Sequence, residues 1–439
     1  MTWRNLSLLV LLSLPAPAPA QEDPLAAAQL RTTLTFLASD ELAGRDSPSR
    51  GLREARDYLI ARLQAAKVAP GVGESYVHEY ELPGVTLPHE GVTCALVGDG
   101  EKRALTFGED VRIWRLDAAF QGEAVEVLRP DMDAPGADRL LRRLRGNKPV
   151  ILEVETDSPL WRATEGAQQK LGSTRGGGSA PWLLVRKGVL PAGDLKMDLS
   201  VPAPTAGPVQ LWNVVGVLRQ PEAKEWVVFS AHYDHIGIGI ARNGDSINNG
   251  ADDDGTGTTT VLALAEAFAR APAAAGRNLA FVFFSAEEKG LRGSRAFVAA
   301  PPFPLADIAA VVNLEMLGRP PEDGARKAWI TGHDLSDFAT RAQPALARAG
   351  VELIEFAMAA NLFSASDNLP FAQEGVVAHS ISAGSLHADY HQPSDEVSRI
   401  DFEHMSAVAR GVFEFGKDLA TAKERPAFND KGKARLRLR

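Results

Sequence analysis

The sequence predicts an α/β fold, with a mainly parallel central sheet flanked by helices and a mostly β subdomain inserted into it. Three observations predict this. From Leu211 onward, runs that are apolar and β-branched throughout (NVVGVL, WVVFS, LAFVFF, IAAVVNL, VVAHSIS) alternate with helical stretches. A strand that is apolar at every position is covered on both faces, as parallel strands are. Between about Leu87 and Ala206 that rhythm stops. Short β-like runs (VTCALVG, KPVILEVE, APWLLVR) stand there among many Gly and Pro, with a flexible STRGGGSA. Before it, residues 25 to 66 carry apolar side chains at helical spacing.

Residues 1–20 read as a secretory signal. Arg4 is a positive start, Leu6 to Leu14 a short apolar core, and Ala18-Pro19-Ala20 a cleavage site that places the mature start at Gln21. The apolar run is too short to span a bilayer and no other stretch is long enough. A soluble secreted or periplasmic protein, without stable membrane insertion, is expected. Residues 21–86 open the main domain: Leu37-Ala38-Ser39-Asp40 leads into a turn at Gly44, and REARDYLIARLQAA sets Ala55, Tyr58, Leu59 and Leu63 on one helix face. Residues 87–206 are the insert. Residues 207–424 form the larger part of the main domain, with helices at TVLALAEAFARA, DFATRAQPALARA and MSAVARGVFEFGKDLA. Residues 425–439 end in the basic KGKARLRLR, read as a solvated tail. The net charge of −9 argues against a general nucleic-acid binder, and Cys94, the only cysteine, can make no internal disulfide.

In sheets of this kind, ligands bind beyond the carboxyl ends of the strands, and metal-type side chains stand there in this chain. His232 and Asp234 follow VVFSA, Glu287 and Glu288 follow FVFFSA, and Glu315 follows VVNL. Asp253 lies in GADDDGTG and His391 in DYHQPSDE. Histidines and carboxylates at strand ends are what a two-metal hydrolase needs, with about five protein ligands and one of them shared. Asp253 is the candidate for the shared ligand. Asp252 and Asp254 read as carboxylates favoured by the dipole of the helix beginning near Thr258. Residues two apart in an extended segment face one way, so Asp234 can accept from the His232 ring and fix its tautomer. His235 would then point away, as a structural or rim residue. Adjacent carboxylates repel unless a cation or proton relieves them, which fits Glu288 as a ligand and Glu287 as the holder of a proton. A carboxylate in the otherwise apolar run before Glu315 needs a metal or a basic partner such as Arg319. Asp395 is a candidate for fixing the His391 loop. Taken singly, DDDG also reads as a helix-capping loop and EE as an exposed acidic turn. The remaining histidines read as structural. No H-E-x-x-H helix and no complete G-x-S-x-G elbow occurs.

With these residues in this order, the chain resembles the dizinc exopeptidases of the bacterial leucyl aminopeptidase, aminopeptidase S and glutamate carboxypeptidase type. LASDELAGRDSPSRGLREARDYLIARL is similar to that family's opening helix and loop, and the insert more loosely resembles the protease-associated insert of many members. The resemblance covers most of the mature chain and implies the zinc aminopeptidase fold. It implies that His232 and Glu315 hold one zinc, Glu288 and His391 the other, and Asp253 bridges them. It implies that Asp234 orients His232, that Glu287 is the general base and later the acid, and that Tyr390 steadies the oxyanion. The Asp253-Asp254 peptide is expected to be cis. Three features depart from the pattern. Glu315 stands where many members have Asp, Asn368 replaces a frequent His and should alter the pocket wall, and the cysteines of some secreted relatives are missing.

The expected function is therefore an exported metallo-aminopeptidase with two Zn²⁺ ions, acting on peptides. A metal-bridging hydroxide, formed when Glu287 takes a proton from water, would attack the first peptide bond. Beside it stand a carboxypeptidase or glutaminyl cyclase on the same fold. A carboxypeptidase would need a basic clamp, for which Arg319, Arg242 and Arg341 are available. A non-catalytic binding protein of this fold would have lost a ligand or the base. Nothing in the sequence sets the side-chain preference or the oligomeric state.

Overall fold

Strands that are apolar at every position fill the centre of the molecule. In chain order the main-sheet strands are β1 (Val77–Thr86), β2 (Gln169–Leu171), β3 (Thr205–Leu218), β4 (Trp226–His232), β5 (Asn278–Phe284), β6 (Ile308–Leu314), β7 (Lys327–Ile330), β8 (Glu352–Leu353) and β9 (Ala378–Ser382). Their order across the sheet is β8-β7-β9-β6-β4-β5-β3-β1-β2, with the short Ala69–Pro70 beside β3. β4, β5, β6 and β9 are buried along their whole length and run parallel to one another. β3, β1 and β2 extend the sheet antiparallel on one side and β7 on the other. The sheet is thus mixed, with the four central strands parallel and a further short parallel pair, β7 with β8, at one edge. This computed structural model describes residues 22–98, 101–130, 148–166, 168–172, 180–242, 244–271, 276–321, 324–384 and 386–438. The expected signal segment and its cleavage site lie outside the described residues.

The antiparallel flank explains where the insert sits. β1 and β3 pair so that Thr86 lies opposite Thr205, and everything between those residues hangs from the tip of one long hairpin. It forms a four-stranded and a three-stranded sheet around its own apolar cluster, which includes Val111, Ile113, Leu183, Val185, Met197 and Leu199. β2 returns from it to pair with β1.

The helices are α1 (Ala27–Leu37), α2 (Arg50–Ala65), α3 (Gly257–Arg270), α4 (Arg292–Ala299), α5 (Phe338–Arg348), α6 (Asn368–Gln373) and α7 (Phe402–Thr421). α3 packs on β4, β5 and β6 and touches α1, α2 and α7, while α4 and α6 pack on each other and against the sheet. α2 shows why these segments are helical. The Ser49 hydroxyl caps it by accepting the Leu52 N–H at 3.0 Å. Leu52, Ala55, Leu59 and Leu63 recur every three or four residues and are buried. Tyr58 is only half buried and stacks on Phe36 at 4.2 Å. Leu59→Ala should lower unfolding stability by about 2–5 kcal/mol. Denaturant unfolding checks this, and an unchanged midpoint would contradict the packing. No helix among the described residues is long and apolar enough to cross a membrane.

The basic C-terminal stretch is not a free tail. Asp430–Leu436 is a short helix, capped by the Asn429 side chain, which accepts the Gly432 N–H. Lys431 pairs with Asp334, and Arg435 donates to the Ala360 carbonyl at 2.8 Å and lies over the Phe363 ring.

Candidate metal centre

β5, β4 and β6 are neighbours and parallel, so their carboxyl ends lie side by side. His232 ends β4, Glu287 and Glu288 follow β5, and Glu315 follows β6. Asp253 enters from the turn before α3 and His391 from the loop after β9. The backbone is strained where it delivers these groups. Ala286, Met316 and His391 have φ of 54°, 52° and 55°. This left-handed region costs non-glycine residues of order 1–3 kcal/mol each. Gly250, with φ of 59°, has no alternative residue, since a Cβ there would lie 2.4 Å from the Asp253 carbonyl oxygen and 2.5 Å from His235 Cγ. The Asp253-Asp254 peptide is cis.

His232, Asp253, Glu288, Glu315 and His391 come together. His232 Nε2 lies 3.3 Å from Asp253 Oδ1 and 3.3 Å from Glu315 Oε1. His391 Nε2 lies 3.0 Å from Asp253 Oδ2 and 3.2 Å from Glu288 Oε1. Asp253 thus turns one oxygen to each group. Asp253 Oδ2, Glu288 Oε1 and His391 Nε2 are buried and have no hydrogen-bond partner. Buried polar atoms are rarely left so, and three together, with imidazole and carboxylate chemistry, fit a metal ion. Asp254 also lies near His232 and Glu315, but its oxygens accept the N–H groups of His232, Gly257 and Met316. Arg319 is not the partner of Glu315; it donates to Asp389 at 3.0 Å. Glu315 Oε2 accepts the Ser366 hydroxyl at 2.6 Å.

Without metal, the histidines take the cation's part. Burial opposes charge on His391, but Asp253 and Glu288 push it up to about 10. Burial would raise Glu288, yet His235 and His391 bring it down to about 2. Burial, with Asp367, Glu315 and Glu288, holds the Glu287 carboxyl well above the usual range. A metal must displace the histidine protons, so zinc binding should release protons and tighten as pH rises toward about 10. Calorimetry in buffers of different ionisation enthalpy reads that release, and proton-neutral binding at pH 7 would contradict it.

Other groups hold these side chains in place. The Asp395 carboxylate accepts the N–H groups of Asp252 and Asp253, each at 3.1 Å. Asp395→Ala should weaken metal binding about 10–100-fold, with chelator competition as the measurement and unchanged affinity as the contrary result. Asp252 accepts from the Gly318 N–H at 2.7 Å and lies 3.2 Å from His387 Nε2. Arg45, fully buried, donates to the carbonyls of Tyr233 at 2.9 Å, Asn249 at 2.7 Å, Gly250 at 3.0 Å and Leu37. One guanidinium therefore ties the opening loop to both segments that carry His232 and Asp253. The sequence offered only its place after the Gly44 turn as a sign.

Two expectations are corrected. The chain leaves its extended form at His232, so the two-residue alternation ends there. His232 Nδ1 lies 3.1 Å from the Asp234 backbone carbonyl and 3.8 Å from its carboxylate. That carboxylate instead accepts the Glu287 N–H at 3.1 Å and the Ser47 hydroxyl at 3.2 Å. For the same reason His235 does not point away. It is fully buried, with Nδ1 2.9 Å from Glu288 Oε1 and 3.8 Å from Asp253 Oδ2. A third histidine three residues after the first was the available signal.

Residues 213–416 match the profile of peptidase family M28. That stretch is similar to peptidase family M28. No curated protein matches the sequence. Among solved structures, a zinc aminopeptidase from Bacillus subtilis is 16% identical, with 92% of this chain and 97% of that one covered and a TM-score of 0.56. An aminopeptidase from Aneurinibacillus sp. strain AM-1 is 17% identical over 92% and 96%, with a TM-score of 0.52. A Porphyromonas gingivalis glutaminyl cyclase is 14% identical over 90% and 99%, with a TM-score of 0.51. At these identities the likeness is one of fold.

The family match, with a donor set that fits zinc, supports a metallo-exopeptidase, a hydrolase. Beside Glu315 the chain has a cavity of about 60 Å³, walled by Met316, Trp329, Leu362, Leu386 and Tyr390, with hydroxyls of Ser366, Ser380, Ser382 and Thr331. The Tyr390 ring stacks on His391 at 3.9 Å. Asn368 does not face this cavity. It is fully buried and accepts the Ser380 hydroxyl at 2.9 Å, so it acts on the wall only through Ser380.

Proposed function

We propose that the chain is an exported aminopeptidase holding two zinc ions, and that it removes N-terminal residues from peptides. The observation that carries this is the Asp253 carboxylate, with Oδ1 toward His232 and Glu315 and Oδ2 toward His391 and Glu288. Two zincs held by these residues would polarise the scissile carbonyl and acidify an attacking water. Glu287 takes the proton from that water and returns it to the leaving amine. Asp234 fixes its backbone beside the candidate ligands. Tyr390, against His391, steadies the developing oxyanion. The apolar walls of the cavity take the terminal side chain.

Arg319 is engaged by Asp389 and Arg341 by Asp337, so neither is offered as the basic clamp that a terminal carboxylate would need, which favours the free amino end. The test uses one leucyl peptide in free, N-acetylated and C-amidated forms, with products read by mass spectrometry. Loss of the first residue from the free and amidated forms alone is expected. Trimming from the carboxyl end, or ring closure of an N-terminal glutamine without peptide cleavage, would replace the reading.

A further inference from the structure

The five-ligand scheme makes no use of the ring of His235. It is fully buried, and neither of its nitrogens has a hydrogen-bond partner. No hydrogen bond of the ring sets its position; its surroundings do. The His235 N–H donates to the Arg45 carbonyl at 3.2 Å, and Gly250 lies so close to the ring that any Cβ would collide with Cγ and Cδ2. Arg45 in turn binds the carbonyls of both Tyr233 and Gly250, which sets the spacing of the segments around the ring.

Held in this way, Nδ1 joins Asp253, Glu288 and His391 in a group whose ligand atoms all lie within 4.8 Å of one another. It is 2.9 Å from Glu288 Oε1 yet not aligned for a hydrogen bond to it. Asp253 Oδ2, Glu288 Oε1 and His391 Nε2 share that property: they are close, buried and without a hydrogen bond. Four such atoms therefore lie together with no hydrogen bond among them. At the other group, His232 Nε2 and Glu315 Oε1 are aligned with one another at 3.3 Å.

We propose that His235 is a fourth protein donor to the metal held by Asp253, Glu288 and His391. This rests on the dizinc reading above. The two sites are then unequal. One has four protein donors (His235, Asp253, Glu288, His391). The other has three (His232, Asp253, Glu315) and keeps an open position, as catalytic zinc sites do. His235 therefore anchors the more tightly held ion and reserves exchange for the His232 side.

The test is zinc X-ray absorption of the full, zinc-loaded chain, which counts imidazole ligands without any substitution. Three imidazoles for two zincs are expected; two would overturn the assignment while leaving the dizinc reading intact. His235→Ala should reduce the count by one and weaken one zinc site roughly tenfold or more in chelator competition, with circular dichroism to verify folding. A weakened site with two imidazoles in both proteins would also overturn it, since the ring would then act only by positioning Glu288. A chain that takes up no zinc at all would overturn the dizinc reading itself.

Discussion

Glu287→Gln should reduce turnover about 10²–10⁴-fold while the chain keeps its zinc. The substitution preserves size and removes only the capacity to take a proton. The wild-type carboxyl is suited to that task because burial and the neighbouring carboxylates of Asp367, Glu315 and Glu288 raise its hold on a proton, against the pull of His232. Its Oε2 lies 4.0 Å from His232 Nε2, beside the candidate ligands. The Asp234 carboxylate holds its N–H, so the glutamine should sit where the glutamate did. Steady-state kinetics with metal analysis of the same sample makes the check. Near-normal turnover would remove Glu287 from the chemistry. Lost zinc would make it a ligand instead.

Asp253→Ala should have the larger effect and a different signature: both zinc sites weakened, and activity at background. The two oxygens of Asp253 face different histidines, so one truncation leaves each group a donor short. The carboxylate lies within a turn built to hold it, with Asp395 accepting its N–H and Gly250 giving it room. The fold should survive, because the turn's other bonds, from Asp252 to Gly318 and from Asp254 to Met316, do not involve the lost side chain. Circular dichroism with metal analysis separates the cases. Retention of one zinc at wild-type affinity would contradict a shared ligand.

How much of this was legible follows from how far local rules reach. The central strands were readable because four of them are buried on both faces and therefore apolar throughout, and the helices between them because their apolar faces repeat at helical spacing. The meeting of His232, Asp253, Glu288, Glu315 and His391 was readable because parallel strands bring their carboxyl ends together. The antiparallel flank was not, since β1 and β3 are separated by the insert and only their pairing, Thr86 opposite Thr205, joins them. His235 was misplaced because strand alternation was extended past His232, where the strand ends. The Asp234 carboxylate was placed on the His232 ring for the same reason, where its backbone carbonyl stands instead. Arg45 bonds carbonyls far along the chain, at Tyr233, Asn249 and Gly250, and no local pattern signals that. The basic end docks through pairs with Asp334 and Phe363, again long-range.

Zinc stoichiometry tests the central claim most directly. The full chain would be stripped with a chelator, dialysed, titrated with zinc and assayed on an aminoacyl anilide at each step. Activity should rise to a plateau only as the second equivalent binds, and Asp253→Ala should weaken both binding steps. A plateau at one zinc per chain, or two zincs bound without dependence on Asp253, would contradict a centre bridged by that carboxylate.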